Sequence, residues 1–430
     1  MNDSEFRKSV LPSGITLLTE RMPDRGSIAV GVWVRCGARD EPQARLGISH
    51  FIEHMMFKGT ERRDARQIAQ SLESIGGHLD AFTAREQVCY YARALSEHLP
   101  EVVDVLADIV CRSRFHDAEI EKEKSVVREE IFACDDNPED RIAEMSSDQV
   151  WAGHPLGKPI LGTVETVDAL DAQALRDYFR GRYRADHLLV AAAGGLDHER
   201  LAALVEEAFT PPDGEVQPLS ARPADAAPII PARHEVRDDL QQLNLALGAR
   251  GISYADERRY ALHVLNTLLG GGMSSRLFQG VREEAGLAYS VYSVLDFYRD
   301  AGMIAIHLGV APGRARDALR RVRDELTRLV DAGPGEDEVA AARAQLRGGM
   351  LIGQESVSNR MHHLAHDELY RGRFFTIEED VARVMAVTRE DVIDVARAFL
   401  LPGRFAVAAL GPAPDGPIGA EDWAGIAATR

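Results

Sequence analysis

Residues 46–60 read LGISHFIEHMMFKGT, a helix-like run that follows a β-branched, strand-like segment at residues 27–38 (SIAVGVWVRCGA). The second half of the chain repeats this order. There the strand-like LNLALGARG of residues 243–251 is followed by His263-Val264-Leu265-Asn266-Thr267 and then LLGGGM. In this alignment Glu53 becomes Asn266 and His54 becomes Thr267. The ends of the halves echo each other as well, LLVAAAGGLD at residues 188–197 against FAVAALGPAPD at residues 405–415. The sequence therefore reads as an internal duplication in which one copy kept a polar cluster and the other lost it, the other reading of such short matches being two unrelated α+β domains.

A joint between the copies is visible in residues 210–233, TPPDGEVQPLSARPADAAPIIPAR, which hold Pro211, Pro212, Pro218, Pro223, Pro228 and Pro231 with no helical or strand period. The expected division is a domain at 1–210, a proline-rich linker at 211–233 and a domain at 234–430. Both halves alternate strand-like and helix-like segments. Residues 64–75 place Ile68, Leu72 and Ile75 on one helical face before Gly76-Gly77, residues 88–95 (VCYYARAL) read as a strand, and Leu319, Val322, Leu326 and Leu329 mark a helix closed by Gly333-Pro334.

The whole chain, 430 residues, is 45% hydrophobic and 27% charged, which fits an ordinary folded protein. Its net charge of −18 disfavours nucleic acid and anionic membrane surfaces as partners. The apolar run at residues 188–196 is far short of the ~20 residues that span a bilayer, and MNDSEFRKSV lacks an apolar signal region. Cys36, Cys89, Cys111 and Cys134 show no CxxC pairing, as expected of small thiols in a reducing cytoplasm.

His50 and His54 are four residues apart, so a helix brings both imidazoles to one side, with Glu53 beside them. This is the HxxEH arrangement: two neutral imidazoles bind Zn²⁺, and the adjacent carboxylate takes a proton from water without being a ligand. A third ligand is needed. Residues 117–134 (DAEIEKEKSVVREEIFAC) form an expected helix that offers Glu119, Glu121, Glu123, Glu129 and Glu130. Glu123 and Glu130 are two turns apart on one side, so one could ligate while the other orients a histidine. A second pair, His362 and His366 with Asp367, mimics the motif; with no general base nearby it is read as a decoy.

The runs GISHFIEHMMFKGT, GGHLDAFTAREQVCYY, VVREEI, HPLGKPILGT and GGGMSSRLFQGVREEAGLAYSV together resemble the M16 peptidases, the inverzincins that include pitrilysin, insulin-degrading enzyme and the mitochondrial processing peptidases. The resemblance covers residues 10–412 and is closest in kind to the short bacterial processing-peptidase-like members. It implies an α+β fold of two duplicated domains, each a mostly antiparallel β-sheet covered by α-helices, the LuxS/MPP-like metallohydrolase fold. It also implies His50, His54 and Glu130 as zinc ligands, Glu53 as general base and Glu123 as the carboxylate behind a ligand. In the second half Arg282 and Tyr289 match the family's Arg/Tyr pair, a cation and a phenol donor suited to a developing oxyanion. Gly270, Gly271 and Gly272 match its glycine-rich loop.

Asp80-Ala81-Phe82-Thr83 resembles the family's edge strand, to which an extended substrate adds as a further strand. The family usually has Asn at the position of Asp80, whose carboxylate only accepts hydrogen bonds. Phe57 is expected to line a specificity subsite. The functional expectation is a cytoplasmic zinc endopeptidase acting on peptides or unfolded polypeptides. Because the family's full-length enzymes close two such domain pairs around substrate, the resemblance implies a homodimer in which Arg282 and Tyr289 of one protomer complete the zinc site of the other. The alternatives from other classes are a non-catalytic structural subunit and a zinc-stabilised peptide-binding module.

Overall fold

The structure is a computed structural model that describes residues 5–212, 214, 219–220 and 222–424. From its first strand the chain runs β1 (Glu5–Val10), β2 (Thr16–Arg21), β3 (Ser27–Val34), α1 (Ile48–Met56), α2 (Ala65–Glu73), β4 (His78–Thr83), β5 (Val88–Leu95), α3 (Leu99–Arg112), α4 (Asp117–Asp136), α5 (Pro138–Val150), α6 (Val164–Asp168), α7 (Ala172–Arg182), β6 (Leu188–Gly194) and α8 (His198–Ala208). It continues through β7 (Ala232–Val236), β8 (Leu243–Gly251), α9 (Arg259–Gly270), β9 (Ala288–Phe297), β10 (Gly302–Val310), α10 (Ala315–Asp331), α11 (Glu336–Gly353), α12 (Val357–Arg371), α13 (Ile377–Ala386), α14 (Arg389–Phe399), β11 (Ala406–Gly411) and α15 (Ala420–Ala424).

Two sheets result, in the orders β1-β2-β6-β3-β5-β4 and β7-β11-β8-β10-β9. Each is antiparallel except for one pair, β2/β6 in the first and β7/β11 in the second. The five strands from β2 to β4 thus have the same order and directions as the whole second sheet, as a duplication requires. The fold is the α+β pair of mostly antiparallel sheets that the family resemblance implied.

The chain divides into two compact units that do not follow its halves strictly. One comprises Met1–Ala133, Lys158–Ala221 and Gly353–Phe374; the other comprises Cys134–Gly157, Arg222–Ile352 and Phe375–Arg430. Compared with domains at 1–210 and 234–430, each unit has given one helical segment to the other. Small residues explain the exchange. In the first sheet α12 packs Met361, Leu364 and Ala365 on Ala29, Ala191 and Ala193, and a Cβ at Gly31 would sit 2.5 Å from the Trp33 ring and 3.1 Å from Met361 Sδ. In the second, α5 packs Ile142 and Met145 on Ala246 and Ala408, and a Cβ at Gly248 would sit 2.6 Å from Ser146 Oγ. Each sheet face lined with Ala and Gly therefore admits a helix close to its backbone.

The opposite face of each sheet carries the larger core. In the first unit Val30, Val32 and Val34 meet Phe51, Ile52 and Met55 of α1 and Val102, Leu106 and Ile109 of α3. In the second, Leu245 and Leu247 meet Leu262 and Leu265 of α9 and the buried stripe Leu319, Val322, Leu326 and Leu329 of α10. The proline-rich segment is not a free linker over its described part. Ala224 and Ala227 are buried beside Trp151 and Met303, and the Ser220 N–H donates to Asp40 Oδ1 at 2.8 Å. Residues 213, 215–218 and 221 of that expected linker lie outside the described residues, as do residues 1–4 and 425–430 at the ends.

Candidate metal centre

Helix α1 has two faces because its apolar residues recur at helical spacing. Ile48, Phe51, Ile52, Met55 and Met56 are buried, while His50, Glu53 and His54 are left half-buried on the other side. Its start is fixed by Gly47, whose φ of +86° is in the left-handed region and whose Cβ would lie 2.4 Å from the Leu161 carbonyl oxygen. Here the buried carboxylate of Glu41 accepts from the N–H groups of Gly47 (2.7 Å) and Ser49 (2.8 Å), satisfying backbone donors at the helix N-terminus. Burial pushes this carboxyl up to about 8 against the pull of those bonds. Sequence reasoning missed Glu41, because a capping residue that reaches across a loop leaves no periodic signal.

His50 Nε2 and His54 Nε2 are 3.2 Å apart. Glu130 of α4 brings Oε2 to 3.7 Å from the first and 3.4 Å from the second. Zinc held tetrahedrally at about 2.0–2.1 Å by such atoms needs them roughly 3.3 Å from one another, so the donor set fits the ion in both chemistry and spacing. Glu129, which helix spacing alone left open, is exposed. His54 Nδ1 donates to Glu123 Oε1 at 2.7 Å, which leaves Nε2 turned towards Glu130 and His50.

The electrostatics separate the two imidazoles. Burial first, and then the neighbouring His54, lower the His50 pKa to about 3, so that ring stays neutral, as a ligand must. For His54 burial pulls downward, but the Glu123 hydrogen bond with the charges of Glu130, Glu123 and Glu53 outweighs it, and its pKa is raised. Burial raises the Glu53 carboxyl despite the Thr83 hydroxyl, which donates to Glu53 Oε2 at 2.6 Å. A carboxylate with a raised pKa beside a metal site suits general-base chemistry.

Thr83 ends β4, the edge of the first sheet, so the edge-strand residues and Glu53 are structurally joined. Asp80 on that strand is exposed; its Oδ1 accepts from its neighbour Ala81 N–H (2.8 Å) and its Oδ2 from Tyr91 OH (3.1 Å). Phe82 turns to the other sheet face, where His362 of α12 packs against Phe82, Tyr91 and Trp33 with ring centroids 5.8, 5.5 and 5.6 Å apart. The apparent decoy therefore belongs to the first unit and not to the second, because α12 is the exchanged helix. His366 meets Gln87 (3.2 Å), and Asp367 pairs with Arg371 (2.9 Å). Phe57 caps the C-terminus of α1 and packs partly buried against the core.

In the second unit Arg282 lies in a π-helical turn, Phe278–Glu284, with its guanidinium 4.7 Å from the Phe278 ring and 5.6 Å from the Tyr289 ring. Tyr289 is 74% exposed on the edge strand β9. The glycines at the end of α9 are explained by space: a Cβ at Gly270 would lie 2.5 Å from Ser293 N, and one at Gly271 would lie 2.7 Å from Thr267 Cα. Gly272 has no such neighbour within 3.4 Å.

Residues 16–164 match the family model for insulinase (peptidase family M16), and residues 169–346 match that for the peptidase M16 inactive domain. The chain belongs to peptidase family M16. It is 38% identical over 414 residues to an uncharacterized zinc protease of Streptomyces coelicolor, covering 95% of this chain and 90% of that protein. It is 41% identical over 414 residues to one of Mycobacterium tuberculosis, covering 94% and 93%. Its fold is similar to that of a protease from Helicobacter pylori, with a TM-score of 0.87 at 19% identity over 95% of this chain and 100% of that one. Zinc is the metal of these M16 relatives, in agreement with the donor set of His50, His54 and Glu130. No helix among the described residues is long and apolar enough to cross a membrane.

Proposed function

We propose that this M16 protein is a zinc-dependent endopeptidase that hydrolyses peptides or unfolded polypeptides laid along β4 as an added strand. The observation that carries the reading is the convergence of His50, His54 and Glu130 with Glu53 one residue from a ligand on the same face of α1. Zinc held by those three side chains supplies Lewis acidity towards water and the scissile carbonyl. Glu53 takes the proton from the attacking water on its carboxylate and delivers it to the leaving amine, and Thr83 holds that carboxylate in place. Glu123 keeps His54 in one tautomer.

The open edge of β4 suits main-chain pairing with substrate. Asp80, Ala81, Phe82 and Thr83 would contact the bound strand, Phe57 would line a specificity subsite, and Gly270, Gly271 and Gly272 are the substrate-binding residues proposed for the second unit. Arg282 and Tyr289 of a second copy are the donors proposed for the oxyanion; the exposure of Tyr289 leaves its phenol free to reach a partner. The homodimer, like a cytoplasmic location, belongs to this reading.

A quenched fluorescent peptide library, with and without a chelator, tests the proposal. Chelator-sensitive cleavage restored by zinc is expected; zinc binding without cleavage of any peptide would contradict it and favour a binding module. For the dimer, mixing the inactive Glu53→Gln and Arg282→Ala proteins should restore activity, and failure to do so refutes completion in trans.

A further inference from the structure

The carboxylate of Glu123 is 3% exposed and has two oxygens to satisfy. Oε1 takes the His54 Nδ1–H. Oε2 lies 2.6 Å from the ammonium of Lys58, a residue four positions beyond His54 that no motif assigned to the site. Lys58 follows the C-terminal cap of α1, where a cation is favoured by the helix dipole. Its position is fixed by a loop that is itself clamped. The Lys58 N–H donates to the Met55 carbonyl (3.1 Å), and Gly59 turns the chain with a φ of +134°, which side-chain-bearing residues rarely adopt. Thr60 then donates through Oγ1 to Asp108 Oδ2 (2.7 Å), a fully buried carboxylate of α3 that also takes Arg63 Nη1 (2.7 Å). The turn after α1 is thus nailed to the core helix α3, and Lys58 is returned towards α4.

We propose that Lys58 is a positioning residue of the metal centre: its ammonium holds the Glu123 carboxylate in the orientation that keeps His54 with Nδ1 protonated and Nε2 presented to the metal. This rests on the reading of His50, His54 and Glu130 as zinc ligands. Without Lys58, a buried Glu123 would lose its counter-ion on one oxygen and would be free to rotate or to draw in water, loosening the hydrogen bond that holds His54 Nδ1. The Glu123 pKa carries the same sense: burial raises it, and the bonds from His54 and Lys58 outweigh this and lower it. The chain His54–Glu123–Lys58 therefore links the ligand to the rigid turn at Thr60 and through it to Asp108.

The test compares wild type with Lys58→Met, which keeps the aliphatic stem, and Lys58→Arg, which keeps the charge. Zinc affinity is read by competition with a chromophoric chelator, and the ring-nitrogen shifts of His54 are read by NMR on metal-free protein, at a pH chosen above the end of its own measured titration so that the ring is neutral. Lys58→Met should weaken zinc binding roughly ten-fold, the lower end of what outer partners of metal ligands command. Its His54 should lose the single Nδ1–H tautomer, and Lys58→Arg should largely restore both. A purely structural lysine would lower the melting temperature of the metal-free protein and leave zinc affinity unchanged. Wild-type zinc affinity and an unaltered tautomer in Lys58→Met, or an arginine no better than methionine, would overturn the proposal. If the wild type itself binds no zinc, the ligand reading fails, and the His54 tautomer still decides what Lys58 does.

Discussion

Helices α1 and α9 occupy equivalent places in sheets of the same strand order, yet their chemistry differs. On α1 His50, Glu53 and His54 face the carboxylates of α4. On α9 the corresponding residues are His263, Asn266 and Thr267. His263 is half-buried against Phe297 (5.1 Å between ring centroids) with its pKa lowered to about 4, first by desolvation and then by Arg259. Thr267 turns its hydroxyl back to the His263 carbonyl at 2.9 Å. Helix α11, which follows α10 as α4 follows α3, has no carboxylate between Glu338 and its end at Gly353. The fold therefore tolerates either surface. What distinguishes α1 is the pairing of its two imidazoles with two carboxylates seven residues apart on another helix, a donor set that fits a metal ion.

The two units share their use of an exchanged helix over a small-residue sheet face, and this likeness can be broken by filling that face. Gly31→Ala in the first unit and Gly248→Ala in the second should each destabilise the protein by about 1–3 kcal/mol in denaturant unfolding, because both new methyl groups meet atoms closer than van der Waals contact. A cost in one unit alone would mean that the two packings are not equivalent.

A smaller effect sharpens the electrostatic contrast. His54 has carboxylates around it and its pKa is raised, whereas His307 of β10 is buried, stacks on Tyr292 and is lowered to about 4 by burial. As pH falls below about 6.5, the unfolded chain binds a proton at His307 that the native state refuses until about pH 4. The native state should therefore lose up to about 1.4 kcal/mol per pH unit through this group in that window. Unfolding of His307→Phe measured across that pH range should lack this share of the acid sensitivity; an identical pH slope would contradict the assignment. The smallest expected effect is none at all: Asn266→Glu with Thr267→His, which rebuilds the motif on α9, should leave zinc stoichiometry unchanged by mass spectrometry, since α11 offers no third ligand.

Much of the site was legible because helical geometry is a strong constraint. The i, i+4 spacing of His50 and His54, with five apolar residues on the other side, predicts which face of α1 is chemical. Spacing on α4 could not separate Glu129 from Glu130, since adjacent residues differ by ~100° and the sequence does not say where the partner helix lies. The ownership of α5 and α12 was hidden for the same reason: an apolar stripe records that a helix is covered and not which sheet covers it. The hint lay in the strands, where Ala29, Gly31, Ala191 and Ala193 leave room for a close helix. Thr83 was readable as part of an edge strand, but its bond to Glu53 depends on how α1 lies over β4, which no local pattern encodes.

In the proposed mechanism Glu53 performs the proton transfer while three other side chains hold the metal. Side-by-side measurement of zinc content and peptide turnover for wild type and Glu53→Gln tests it most directly. One zinc per chain is expected in both proteins, with a loss of turnover of about 10²–10⁴-fold in the variant, the range that a positioned general base contributes. Wild-type turnover in a zinc-loaded Glu53→Gln protein would contradict it.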